Sequence, residues 1–159
     1  MSAPSRINAD SAPLTLPEPE DAPRDSASDR PDYGADGRSI YWLRYYILMV
    51  TRRRRPFFEA ERARARCSDL MREIASRIGC EVVDCTVRPT QVIVEVLAPP
   101  AVAPHSIATR LRHDAAAPLK AEFPEIEVAG GAFAHPYMVT TVPMPEVDSA
   151  GFETLVSRS

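Results

Sequence analysis

Hydrophobic and polar positions repeat along this chain with two different periods. The block Tyr41 to Thr51, YWLRYYILMVT, is aromatic and β-branched with no Gly or Pro, which predicts a strand covered on much of both faces. Alternation places Leu43, Tyr45, Ile47 and Met49 on one face and Trp42, Arg44, Tyr46 and Leu48 on the other. Arg52 to Arg55 follow, then Pro56, which is expected to stop the strand and open a helix. In that helix Ala60, Ala63, Cys67, Leu70, Met71, Ile74 and Ile78 share a stripe roughly 100° wide, and Gly79 stands where a C-terminal cap belongs.

Cys80 to Arg88 and Gln91 to Ala98 return to period two, with Val83, Cys85 and Val87 sharing one face and Val92, Val94 and Val96 another. Only Pro89-Thr90 separates them, which forces an antiparallel hairpin. Its register sets Thr86 opposite Ile93 and Asp84 opposite Glu95, a like-charge pair that Arg44 on a neighbouring strand is expected to offset. A cation held by the two carboxylates is the competing use. Pro99-Pro100 ends the segment, Ser106 lies in the N-cap region of a second helix through Ile107, Leu111 and Leu119, and Pro118 is expected to kink it. Tyr137 to Val142 reads as a last strand, and Asp148 to Val156 as a short helix with Asp148 near its N-cap. The order predicts an α+β, ferredoxin-like split βαβ fold (βαββαβ): a four-stranded antiparallel sheet in the order 4-1-3-2, two helices on one face, and a short C-terminal helix.

Residues 1–38 interrupt this regularity. They hold six of the 16 prolines, lack a periodic apolar pattern and carry a net charge of −4, whereas residues 39–159 carry +1. Such a stretch cannot bury enough surface to offset its ordering entropy, so 1–38 is expected to be a disordered acidic Pro-rich tail and 39–159 the domain. The tail has neither the apolar core of a secretory signal nor the acid-poor composition of a transit peptide, which points to the cytoplasm. The longest apolar stretch, around Tyr45 to Val50, falls well short of the roughly 18 to 20 residues that cross a bilayer.

Candidate chemistry is sparse. Cys67, Cys80 and Cys85 form no CxxC, and His105, His113 and His135 show no ligand spacing, so no metal site is expected. The run Arg52 to Arg55 offers clustered guanidinium donors for phosphate, or a solvated turn; Arg110, Arg112 and Lys120 form a weaker group on the second helix. Trp42 and Tyr46 offer a stacking surface for unpaired bases unless packing covers them. Tyr137 suits core packing or a hydrogen bond better than a nucleophile's role, and His135 has no sequence partner.

At four places the chain resembles the single-tyrosine HUH transposases of small insertion sequences. VTRRRRPFF (Val50 to Phe58) is similar to their VTKYRRPVF, VRPTQVIVEVLAPP (Val87 to Pro100) to vmPDHVHLLVevpP, LRHDAAAPLKAEFP (Leu111 to Pro124) to LKGxSSrxLrxeFP, and FAHPYMVTTV (Phe133 to Val142) to WsrgYfvaTvG. The terminal helix also resembles the one that carries their nucleophile, and the match as a whole runs in order and in register over about residues 40 to 156.

The resemblance implies a homodimer that binds a DNA hairpin and cuts single-stranded DNA through a 5′-phosphotyrosine. In such enzymes two histidines flanking one strand residue, with a glutamine four residues after the tyrosine, hold a divalent cation. Here the histidine positions are Gln91 and Ile93, the tyrosine is Phe152 and the glutamine is Val156; Ala115 and Ala116 replace the family's serines and His113 its glycine. The expectation is therefore a transposase-like nucleic-acid-binding protein, taking hairpin or single-stranded DNA, with no catalytic residue, metal ligand or cofactor retained. A dimeric protein-interaction scaffold, a decayed remnant and an active DNA-cleaving transposase are the competing readings.

Overall fold

The computed structural model describes residues 34–35, 37–143 and 150–158. Two short strands, β1 (Gly34–Ala35) and β2 (Ile40–Tyr41), pair with each other ahead of the main sheet. Among the described residues, β1 already lies inside the stretch assigned by composition to the tail. The expectation for residues 1–33 lies outside the described residues. Close approach explains Gly34: a Cβ there would sit 2.5 Å from the Tyr41 ring.

The main sheet consists of β3 (Leu43–Thr51), β4 (Glu81–Arg88), β5 (Gln91–Ala98) and β6 (Phe133–Thr140), ordered β4-β5-β3-β6 with every pairing antiparallel. This is the 4-1-3-2 order expected. Helices α1 (Glu61–Arg77) and α2 (Pro104–Glu122) bury Cys67, Leu70, Met71, Ile74, Ile107, Leu111 and Leu119 against Ile47, Met49, Val92, Val94 and Val96. Helix α4 (Ala150–Ser157) packs instead with Leu48 and Val50, the alternate residues of β3. From Tyr46 to Val50 both faces of β3 are covered, because there its two alternating sets are both apolar.

Several boundaries differ from the sequence reading. Helix α1 opens at Glu61, not near Pro56, because Phe57 and Phe58 turn into the core first and leave Ala60 as an extended N-cap. Helix α2 starts with Pro104 at its first turn rather than at Ser106, a position where the missing N–H costs nothing, and it passes through Pro118 as one element. A short helix α3 (Pro124–Val128), not foreseen, buries Ile126 and ends in Gly130 and Gly131, both at positive φ. Strand β6 begins at Phe133 instead of Tyr137: it is an edge strand that tolerates Pro136, and its register against β3 shifts between Met49 and Thr51. Asp148 lies outside the described residues.

In the hairpin, Thr86 pairs with Ile93 and Asp84 with Glu95 as the two-residue loop requires, but a bulge at Val83 then shifts the register. Val82 is consequently buried and Val83 is 42% exposed, reversing the face assigned to Val83. Gly79 has φ +75° at the end of α1, as a C-terminal cap demands.

Burial pushes the thiols of Cys67, Cys80 and Cys85 up, most strongly at fully buried Cys67, where the neighbouring Cys85 adds to the effect. A raised folded-state value leaves stability intact below the unfolded thiol value, near pH 8.5, and removes it as pH climbs toward the folded value. Urea unfolding between pH 8 and 10 should show stability falling by up to about 1.4 kcal/mol per pH unit for each such thiol. Cys67→Ala should make that slope shallower, and an unchanged slope would refute the assignment.

Candidate nucleic-acid interface

The C-terminal end of β3, the β4–β5 hairpin tip, the start of β6 and helix α4 meet at one end of the sheet. Thr51 N and Oγ1 both donate to the Thr90 carbonyl (2.9 and 3.2 Å), and Phe58 N donates to the Pro89 carbonyl (3.2 Å), tying the hairpin tip to the segment after β3. Arg52 N donates to the Ala132 carbonyl at 2.9 Å, fixing the start of β6 to the same corner.

The arginine run turns this corner with strain. Arg53 and Arg54 have φ of 53° and 52°, a left-handed conformation that costs a non-glycine residue about 1–2 kcal/mol and persists only where neighbours enforce it. Two of the four guanidinium groups supply that enforcement. Arg52 Nη1 donates to the Gly130 carbonyl at 3.1 Å, and Arg54 Nη2 pairs with Glu153 on α4. Arg53 and Arg55 are exposed and make no side-chain ion pair among the described residues.

Beside the turn, the residues singled out by resemblance converge. Leu48 pairs with Met138 on one side and Ile93 on the other, and Val50 pairs with Gln91, so β3, β5 and β6 present one row toward α4. Phe152 and Val156 pack onto Leu48, Val50 and Ala134, with Ile93 and Met138 at the margin; Phe152 is 6% exposed and Val156 8%. The i, i+4 spacing in α4 is what lets both reach the sheet. Three of the four positions thus form a water-poor apolar contact, and Gln91 at its rim is half-buried. Ile93, Phe152 and Val156 carry no atom able to bind a cation, so this donor set does not fit a divalent metal.

The remaining basic candidates are dispersed. Arg110 pairs with Asp114 at 3.6 Å, Lys120 is half-buried toward the end of α2, and Arg112 donates to the His135 carbonyl and lies over the Tyr137 ring, its guanidinium carbon 5.8 Å from the centroid. Tyr137 has the hydrogen bond expected of it, with His105 Nδ1. Tyr46 is buried; Trp42 is 40% exposed and carries the Arg44 guanidinium at 4.9 Å from its centroid. Arg44 Nη1 meets Glu95 Oε1 at 2.8 Å, offsetting the like-charge pair as expected, while Asp84 takes a hydrogen bond from Thr86 Oγ1 at 3.1 Å. Sequence reasoning missed Glu153, which gave no signal until the fold placed it beside the turn.

The domain is an α+β sheet layer with α1 and α2 on one face and α4 on the other. The family model for IS200-like transposases matches residues 39–150, and the chain belongs to that family, whose members act in DNA transposition. The match stops just short of Phe152. Among solved structures, a candidate transposase of Deinococcus radiodurans superposes with a TM-score of 0.66 at 22% identity, over 79% of this chain and 95% of that one. A REP-associated tyrosine transposase bound to a REP hairpin aligns at 11% identity and a TM-score of 0.44, over 77% of this chain and 68% of that one. Comparison with curated proteins finds no match. Among the described residues no helix is long and apolar enough to cross a membrane.

Proposed function

We propose that this chain is a DNA-binding member of its family in which the strand-cleaving centre has become an apolar contact. The observation that carries the reading is the packing of Ile93, Phe152 and Val156 into one cluster beside two exposed arginines, Arg53 and Arg55, that have no ion pair among the described residues. Phosphotyrosine chemistry needs a phenolic oxygen and a cation to polarise the phosphate, and this cluster offers neither. Phosphate binding needs only exposed guanidinium groups at a fixed corner, which the turn after β3 supplies. The DNA-binding unit in this reading is residues 39–159, with the acidic stretch before it, and the ligand is a hairpin or an unpaired strand. By family resemblance it works as a homodimer.

The test combines two measurements on the full chain. Binding to a hairpin and to a single strand should fall steeply with added salt, through release of counterions from the neutralised phosphates. Incubation with single-stranded DNA and Mg²⁺ or Mn²⁺ should yield no covalent adduct on a denaturing gel. An adduct would overturn the loss of cleavage, and salt-insensitive or absent binding would favour a protein-interaction scaffold.

A further inference from the structure

We propose that the seam between α2 and β6 carries a phosphate-binding subsite made by Arg112, His105 and Tyr137. It would take a backbone phosphate of the bound nucleic acid, and so rests on the DNA-binding reading above. His105 and Arg112 lie seven residues apart in α2 and therefore share one face of the helix. Tyr137, in edge strand β6, links them. Its hydroxyl is hydrogen-bonded to His105 Nδ1, the two rings are 5.9 Å apart and tilted by 37°, and the Arg112 guanidinium carbon lies 5.8 Å from its ring centroid.

The state of Arg112 distinguishes it from its neighbours. Arg110 pairs with Asp114, and Arg66 bridges Glu73 and Glu122, whereas Arg112 has no carboxylate in ion-pair range among the described residues. One of its five N–H donors goes to the His135 carbonyl, and its guanidinium carbon lies over the Tyr137 ring. The guanidinium is therefore oriented in advance while most of its donors and its full charge stay uncompensated, the condition that favours bidentate binding of phosphate. His105 is exposed, and with its Nδ1 engaged by the Tyr137 hydroxyl its Nε2 is left free; in the tautomer that accepts from the hydroxyl, Nε2–H is a second donor beside Arg112. This set of groups selects an anion. The competing role is purely structural, a pin between α2 and β6.

Arg112→Gln separates the two, since glutamine keeps a side-chain N–H donor but has no charge. The variant should bind hairpin and single-stranded DNA about tenfold more weakly, with a salt slope lower by about one and an unchanged melting temperature. Arg77→Gln, which removes the same charge at the far end of α1, should leave affinity essentially unaltered. In the wild-type protein, whatever the variant's folding, the His105 ring signal should shift in an NMR titration with an oligonucleotide, while that of His113, 85% exposed beside Asp114, should not. Wild-type affinity in Arg112→Gln, or a His105 signal unmoved at saturation, would overturn the subsite and leave the DNA-binding reading standing. Absence of salt-sensitive binding by the wild-type chain would overturn both.

Discussion

Replacing Arg53 and Arg55 together by Ala should weaken binding to a DNA hairpin by on the order of 100-fold and lower the salt slope by about two, one unit for each phosphate no longer neutralised. The pair is chosen by geometry. Arg52 holds the Gly130 carbonyl and Arg54 holds Glu153, so these two build the turn that displays the others. Arg52→Ala should therefore lower thermal stability along with affinity, whereas the Arg53→Ala, Arg55→Ala variant should melt like the parent or slightly higher, since two unpaired like charges are removed from a strained corner. Fluorescence anisotropy at several salt concentrations, alongside thermal melts, reads both quantities. An unchanged slope would remove this turn from the DNA interface.

The second large effect concerns α4. Phe152→Ala should cost about 3 kcal/mol of unfolding free energy, the range for removing a buried aromatic side chain, and should expose Leu48, Val50 and Ile93 to solvent. Phe152→Tyr should cost less, about 1–2 kcal/mol for burying a hydroxyl without a partner, and should still give no covalent adduct because Ile93 and Val156 offer no ligand for a cation. Urea titration measures the stability, and hydrogen exchange at the amides of α4 reports its release from the sheet. A loss in Phe152→Ala below about 0.5 kcal/mol, the scale of a neutral surface change, would mean that α4 is not docked as described.

Neither the setting of Arg112, on the His135 carbonyl and the Tyr137 ring with no carboxylate in range among the described residues, nor the docking of α4 is written in the local pattern of the chain, because both depend on groups distant in sequence. Along the chain, α4 shows just eight residues, too short to be stable alone, and its burial depends on apolar partners drawn from β3, β5 and β6. Val83 shows the same limit on a smaller scale. Strict alternation puts it with Cys85 and Val87, and a bulge that inserts one residue moves Val82 inside instead.

By itself the sequence determined the α+β order, the sheet order, the hairpin register from Asp84 to Arg88, the amphipathic stripe of α1 and the Arg44–Glu95 pair. These rest on periodicity, short-loop geometry and the pairing of neighbouring strands, which act between residues close along the chain or opposed, directly or diagonally, in one sheet. The start of α1, the entry of β6 through Pro136, the division of the arginine run into two structural and two exposed residues, and the seam at Tyr137 were decided by tertiary structure. Each depends on which distant group fills a given space: Phe57 and Phe58 in the core, an unpaired sheet edge beside Pro136, Gly130 and Glu153 at the turn, His105 and Arg112 over one ring. No local pattern encodes those meetings, because packing and charge pairing are set by distance in space and not by separation along the chain.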